Sequence, residues 1–178
     1  FAAIDAVQLL REQLSQTERD QVVRIEVDTY KTALDVTGNY EPVSAYQAKF
    51  SMPYVLVQAL RYGSVRLEAF SDARLEEPAS REMMQKVVMT ACPELTRQFP
   101  LARAARVRLV LQDGRVLEHF SPFRKGDPEA PLTDLELEQK FAELVTPVIG
   151  SDATRWLGSQ IWKLEELQLS DLNLVSLG

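Results

Sequence analysis

Residues 51–63 form the segment that most restricts how this chain can fold. Ser51 is a good helix N-cap, and Gly63 suits the left-handed residue that follows the last turn of a helix. Apolar residues recur at helical spacing between and beside these caps, at Phe50, Pro53, Tyr54, Val57 and Leu60. The sequence therefore predicts a helix over residues 51–62 with one buried face.

Alternation of apolar and charged residues indicates where strands lie. Val23, Ile25 and Val27 alternate with Arg24, Glu26 and Asp28, which is typical of a half-buried strand. Further along, apolar residues alternate over residues 107–111, and Asp113-Gly114 forms a two-residue turn into a return strand beginning at Val116. Residues 88–91 either extend a preceding helix or begin another strand.

Helix signals occupy much of the remaining chain. An amphipathic helix from Ile4 should end near residues 15–17, and residues 37–47 have the composition of a loop. Further caps are predicted at Ser80, at Thr133 with a capping box to Glu136, and at Ser151 or Asp152. We therefore expect the α+β class, as a two-layer sandwich with a mostly antiparallel sheet and helices packed on one face. The leucine-rich residues 167–174 should pack back on this body.

Size and composition exclude several classes of protein. A chain of 178 residues fits one domain, and its net charge of −6 argues against a general nucleic-acid binder. The sequence contains neither an apolar run of membrane-spanning length nor a signal-peptide pattern, so no membrane partner is expected. Its single cysteine, Cys92, indicates a reducing compartment, and we expect the cytoplasm. With one histidine, His119, a structural zinc site is not expected.

Three arginines stand out against the acidic background, at positions 103, 106 and 108. Arg106 and Arg108 alternate within a predicted strand, so we favour a solvated strand face over an anion site.

Residue types alone assemble no active site. Signatures of serine nucleophiles, phosphate loops, dinucleotide binding and zinc hydrolases are absent from the sequence. His119 is a candidate acid or base, but a strand histidine without a visible partner is more often structural. We expect Cys92 to be a small buried residue without a catalytic role. Lys49 and Tyr54 lie where a loop meets a helix. Two interpretations are open: both are catalytic groups, or Lys49 is a surface lysine and Tyr54 is a core tyrosine.

Three segments, in order, resemble the MmgE/PrpD family of 2-methylcitrate dehydratase-like enzymes. The first is Ala3-Ile4-Asp5-Ala6 on the opening helix. The second runs over residues 48–54 and continues through the helix to Gly63, and the third covers residues 125–134. The predicted hairpin at Gly114 also fits, so the resemblance extends over nearly the entire chain.

The resemblance implies both an architecture and a chemistry. Family members have a helical N-terminal domain and a smaller α+β C-terminal domain, to which residues 1–178 would correspond as one domain. Known activities are dehydration of 2-methylcitrate, decarboxylation of cis-aconitate and epimerisation of iminodisuccinate, without a metal or an organic cofactor. Expected partners are a small polycarboxylate substrate, the helical domain of the same polypeptide and a second subunit in a homodimer.

The resemblance also implies site residues. Tyr54 matches the family tyrosine that faces the substrate as hydrogen-bond donor or proton relay, and Lys49 matches a position where other members carry a basic residue that contacts a carboxylate. Ser51 is better explained as a helix cap. In the family a lysine and a histidine precede the first segment, whereas Phe1 stands at or beside the histidine position here. We therefore expect this chain to be inactive by itself.

Three functions follow in order of preference. The first is a lyase, either a dehydratase or a decarboxylase, that acts by proton abstraction next to a carboxylate. The second is an epimerase of an imino-dicarboxylate such as iminodisuccinate. The third is a non-catalytic domain that binds a carboxylate or mediates assembly.

Overall fold

The alternating segments of the sequence form a sheet, and the periodic segments form helices around it. A computed structural model describes residues 1–168. The elements, in chain order, are α1 (Ala2–Arg11), α2 (Gln16–Asp20), β1 (Val22–Thr29), α3 (Lys31–Thr37), α4 (Ala45–Lys49), α5 (Met52–Tyr62), a 3-10 helix (Leu67–Phe70), α6 (Asp72–Leu75), α7 (Pro78–Met84), β2 (Val87–Ala91), α8 (Pro93–Gln98), β3 (Ala105–Leu111), β4 (Val116–Ser121), α9 (Asp134–Ile149) and α10 (Ser151–Ile161).

The four strands make one mixed sheet in the order β2-β1-β3-β4. Strands β1, β3 and β4 pair antiparallel, with Val27 opposite Val107, and Asp113-Gly114 lies in the turn of the predicted hairpin. Strand β2 pairs parallel to β1, with Ile25 opposite Val87. The α+β class is therefore confirmed, and the sheet is antiparallel except at one edge. Of the two alternatives for residues 88–91, the strand is the one observed.

The two faces of the sheet differ in polarity. On one face lie the buried side chains of Ile25, Val27, Val107 and Leu109, which belong to the hydrophobic core. Helix α1 packs along β3 and β4, and α5 packs on α1. The opposite face carries the alternating charged residues of β1 and β3. This division follows from the period-2 pattern, because successive strand side chains point to opposite faces.

Helix α5 is the most deeply buried element among the described residues. Every side chain from position 52 to 60 is buried. As predicted, the Ser51 hydroxyl caps it by accepting the Tyr54 N–H at 3.2 Å, and Gly63 ends it with φ of 80°. Gln8 donates to the Gly63 carbonyl at 2.8 Å, and Arg11 donates to the Leu60 carbonyl at 3.0 Å. Both ends of α5 are therefore fixed by hydrogen bonds.

Several predicted boundaries were wrong, because tertiary contacts decide them. Helix α1 ends at Arg11, and Ser15 opens α2 through a capping box with Glu18. The segment predicted as a loop over residues 37–47 contains the start of α4. Ser80 is not a cap: α7 starts two residues earlier at Pro78, and the Ser80 side chain is buried.

Contacts divide the chain into two compact units, one over residues 1–130 and one from Pro131 onward. In the second unit, Thr133 and Glu136 form the predicted capping box at the start of α9, and Gly158 of α10 lies close to the ring of Phe141. One domain over residues 1–178 stays a prediction. Most of the leucine-rich segment over residues 167–174 lies outside the described residues. Within residues 1–168, no helix has both the length and the apolar character needed to cross a membrane.

Glu77 links α5 and α7 through hydrogen bonds to residues of both helices. Its carboxylate accepts hydrogen bonds from Arg61 at 3.0 Å, from the Tyr62 hydroxyl at 2.5 Å and from the Ser80 hydroxyl at 2.5 Å. Partial burial alone would raise the pKa of Glu77, but the hydrogen bonds and the charges of Arg61 and Arg74 lower it overall. The carboxylate is therefore stabilised in its charged form in the folded protein.

We predict that Glu77→Gln lowers the free energy of unfolding at pH 7 by about 1–3 kcal/mol, because it removes charge-assisted hydrogen bonds from a partly buried site. Since folding lowers the pKa of Glu77, its stabilisation is present above the ordinary glutamate pKa of about 4.3 and is lost as the pH falls through the folded value. Urea unfolding at several pH values measures this. The exposed Glu76→Gln is the matched control. Equal losses in the two variants at pH 7 would contradict the role of Glu77.

Candidate functional site

Lys49 and Tyr54 lie on either side of the junction between α4 and α5. Lys49 is the last residue of α4, where its charge complements the helix dipole, and its side chain is exposed. Its ammonium nitrogen lies 5.6 Å from the centre of the Phe70 ring, within the range of a cation–π contact. Lys49 thus presents a positive charge to solvent beside an aromatic ring.

Tyr54 has the opposite environment. Its side chain is fully buried, and its hydroxyl donates a hydrogen bond to the Ala69 carbonyl at 2.5 Å. Burial raises the pKa of the Tyr54 phenol to about 12. In this arrangement the hydroxyl is neutral, has a backbone partner and has no access to solvent.

Phe70 is the residue that Lys49 and Tyr54 share. The Tyr54 and Phe70 rings lie 6.2 Å apart, and Lys49 lies over the same Phe70 ring. The structure therefore brings the two predicted site residues to one aromatic neighbour, but only Lys49 is open to a ligand. Their catalytic and substrate-binding roles stay predictions.

The other sequence candidates are placed apart from this pair. His119 lies on β4 opposite the buried Val107, half-buried, and makes no hydrogen bond or ion pair within residues 1–168. Cys92 is a half-buried free thiol that precedes α8. Ser51 serves as a cap, as expected, and also donates to the Asn39 carbonyl at 2.5 Å. None of these side chains forms a nucleophile–base pair.

The arginine cluster separates into two environments. Arg108 is ion-paired with Glu26 at 3.1 Å, Asp28 at 3.0 Å and Glu118 at 2.6 Å, all on the open face of the sheet. Arg106 lies 3.8 Å from Glu118. Both residues therefore lie on the charged strand face, although the Arg106 Nε is buried there without a hydrogen-bond partner.

Arg103 differs, because it precedes β3 and lines a cavity of about 180 Å³. Sequence reasoning grouped it with the strand arginines and missed the cavity, whose walls come from four distant segments. Elsewhere in the described part of the chain, no three histidine, cysteine, aspartate or glutamate side chains are grouped so that they could hold a metal ion.

The Tyr54 environment leads to a prediction about alkaline stability. Because the folded pKa, about 12, exceeds the ordinary tyrosine value of about 10, the stabilisation is complete below pH 10 and is lost as the pH rises towards 12. We expect Tyr54→Phe to remove this component of the pH dependence. At pH 7 the variant should lose about 1–2 kcal/mol, because the Ala69 carbonyl loses its donor.

Chemical denaturation between pH 7 and 11.5 measures this effect. Tyr46→Phe is the matched control, since Tyr46 is 72% exposed. An alkaline stability profile that is the same in the Tyr54 variant and the wild type would contradict the buried environment.

Comparison with known proteins identifies the family. The sequence model of the MmgE/PrpD C-terminal domain matches residues 1–164. Cis-aconitate decarboxylase of Homo sapiens is 26% identical over 127 residues, which cover 71% of this chain and 26% of the relative. A cis-aconitate decarboxylase-like protein of Aspergillus oryzae is 27% identical over 125 residues, which cover 70% of this chain and 25% of that protein.

The aligned part of this chain spans about a quarter of the length of these curated relatives. The resemblance carried by the three sequence segments is confirmed by the match over residues 1–164. This chain belongs to the MmgE/PrpD family.

Proposed function

We propose that this chain is the C-terminal domain of a cofactor-independent lyase that acts on a small di- or tricarboxylate. The observation that carries the proposal is the family match over residues 1–164, together with relatives that are named cis-aconitate decarboxylases. Among the activities expected from the sequence, these names favour decarboxylation over epimerisation.

The proposed reaction sets a clear chemical requirement. When a carbon–carbon bond to a carboxylate breaks, carbon dioxide leaves and the electron pair remains on the neighbouring carbon. That carbon, or a carbon conjugated with it through the double bond, must then accept a proton, and the remaining carboxylates must be held by cations or hydrogen-bond donors. We assign a carboxylate contact to Lys49, because its ammonium group is exposed and makes no ion pair within residues 1–168.

Tyr54 is proposed as the hydrogen-bond donor or proton relay, and this role has a structural condition. Its hydroxyl must first leave the Ala69 carbonyl, which belongs to the short 3-10 helix Leu67–Phe70. A shift of that single turn would free the hydroxyl. The helical domain of the same polypeptide is proposed to supply the opposite wall of the site, and a homodimer and a cytoplasmic location are proposed with it.

One observation favours a second candidate function. Because the Tyr54 hydroxyl is already hydrogen-bonded and buried, it resembles a structural tyrosine more closely than a general acid that is accessible to substrate. This favours a non-catalytic domain that binds a carboxylate through exposed cations or that mediates assembly.

The test is solvent deuterium incorporation by the full polypeptide that contains this chain. Offered 2-methylcitrate, cis-aconitate, citrate and iminodisuccinate in heavy water, it should consume cis-aconitate and place deuterium on a carbon next to a carboxylate, as followed by NMR. Incorporation into none of the four compounds would contradict the lyase and support the non-catalytic candidate.

Two variants test the assigned roles in the same assay. Tyr54→Phe should lower kcat by about 10²- to 10⁴-fold, the range typical of a lost general acid. Lys49→Ala should raise KM about tenfold, equivalent to about 1.4 kcal/mol of binding free energy. Tyr46→Phe and the exposed Lys140→Ala are the controls. Unchanged exchange in a folded Tyr54→Phe protein would show that the tyrosine is structural.

A further inference from the structure

The cavity beside Arg103 has a composition suited to a small anion. It is lined by residues from the start of α1, the end of β1, the start of β3 and the segment after β4, namely Phe1, Ala2, Ala3, Thr29, Tyr30, Arg103, Ala105 and Arg124. Two guanidinium groups are present among these residues, and no carboxylate is. Its volume of about 180 Å³ suits a compact ligand.

The two arginines of this cavity are not equivalent. Arg124 is held by Asp127, with its Nη2 at 2.6 Å and its Nε at 3.1 Å from the two carboxylate oxygens. Its charge is therefore already paired. Arg103 makes no hydrogen bond or ion pair within residues 1–168, although the hydrogen bonds and charge of Arg124, together with the charge of Arg103, lower the pKa of the Asp127 carboxyl. Its guanidinium lies 5.9 Å from the centre of the Phe99 ring. The N–H groups of Arg103 are thus left without a protein acceptor.

An aromatic stack supports Arg103 at the cavity. The Phe99 ring stacks on Tyr30 at 4.7 Å with an interplanar angle of 12°, and Tyr30 lines the cavity. A guanidinium that contacts a ring face keeps its five N–H donors free at its edge, where they match the geometry of a carboxylate. The stack therefore limits where the Arg103 head group can lie without using its hydrogen-bonding capacity.

A second cavity, of about 330 Å³, provides an internal comparison. It is lined in part by Arg106, but also by the carboxylate of Glu94 and the rings of Phe120 and Phe123. Arg106 already lies 3.8 Å from Glu118. An anion entering this second cavity would meet a like charge and a partly paired arginine. The lining of the Arg103 cavity contains no carboxylate, and Asp127, which pairs with Arg124, lies outside that lining.

We propose that the Arg103 cavity binds a carboxylate group of a small di- or tricarboxylate, with Arg103 as the binding residue. The ligand class rests on the proposed function, whereas the site uses neither Lys49 nor Tyr54. Arg124 also lines the cavity, but its charge is paired with Asp127. Arg103 is a binding residue and moves no proton.

Equilibrium binding tests this separately from turnover. Isothermal titration of the full polypeptide with citrate, with cis-aconitate and with inorganic phosphate should show the tricarboxylates binding more tightly than phosphate. Arg103→Ala should raise the dissociation constant for citrate by about 10- to 100-fold, the range of a charge-assisted hydrogen bond. The dissociation constant of Arg103→Lys for citrate should lie between those of the wild type and Arg103→Ala, because lysine keeps the charge but loses the bidentate geometry.

Arg97→Ala is the matched control, since Arg97 is exposed on α8, does not line the cavity and carries the same charge. Equal citrate affinities in the Arg103 and Arg97 alanine variants would overturn the proposal, as would tighter binding of phosphate through Arg103 or no binding of citrate by the wild type. Loss of citrate binding in Arg103→Ala without any turnover by the wild type would support the site while refuting the lyase. Turnover of cis-aconitate by the wild type together with unchanged citrate affinity in Arg103→Ala would do the reverse.

Discussion

Burial of α5 is the constraint on which the rest of the first unit depends. Every side chain from position 52 to 60 is removed from solvent, so the helix has no face left for function. Hydrogen bonds from Gln8 and Arg11 of α1 fix its C-terminal end, and the Ser51 hydroxyl fixes its N-terminal end. A residue between positions 52 and 60 can meet a ligand only if a neighbouring segment moves.

That constraint explains the contrast between the two residues assigned from the family resemblance. Tyr54 belongs to the buried helix, and its hydroxyl is satisfied by Ala69, whereas Lys49 ends the preceding short helix and reaches solvent. The cations show a similar contrast. Arg108 is surrounded by three carboxylates on the open sheet face, while Arg103 lies at a cavity with no acceptor of its own. Exposed, unpaired cations are what this unit offers a carboxylate.

The sequence predicted what short-range hydrogen bonds and periodicity decide. The caps at Ser51 and Thr133 were recognisable because the cap and its partner lie within three residues, and the turn at Gly114 follows from a two-residue signal. Ser80 was misassigned because its partners are Glu77 and the distant Gln58. The local sequence of β2 did not distinguish a strand from a helix extension, since the strand is defined by pairing with β1 some sixty residues earlier.

The candidate site was less predictable for the same reason. Family resemblance pointed to Lys49 and Tyr54, but no local pattern indicates that one is exposed and the other buried. The Arg103 cavity needs four segments that extend from the start of α1 to Arg124, so periodicity and spacing could not reveal it. Arg103, Arg106 and Arg108 look alike in sequence, and only the carboxylates that the sheet brings beside two of them distinguish their roles.

We propose that this chain supplies cations to a site for a small polycarboxylate. The most direct measurement is a crystal structure of the full polypeptide with propane-1,2,3-tricarboxylate, a saturated analogue that has no double bond next to its carboxylates. We expect a ligand carboxylate within about 3.2 Å of the Arg103 guanidinium or the Lys49 ammonium. A tricarboxylate bound entirely by parts of the polypeptide other than residues 1–178 would contradict this proposal.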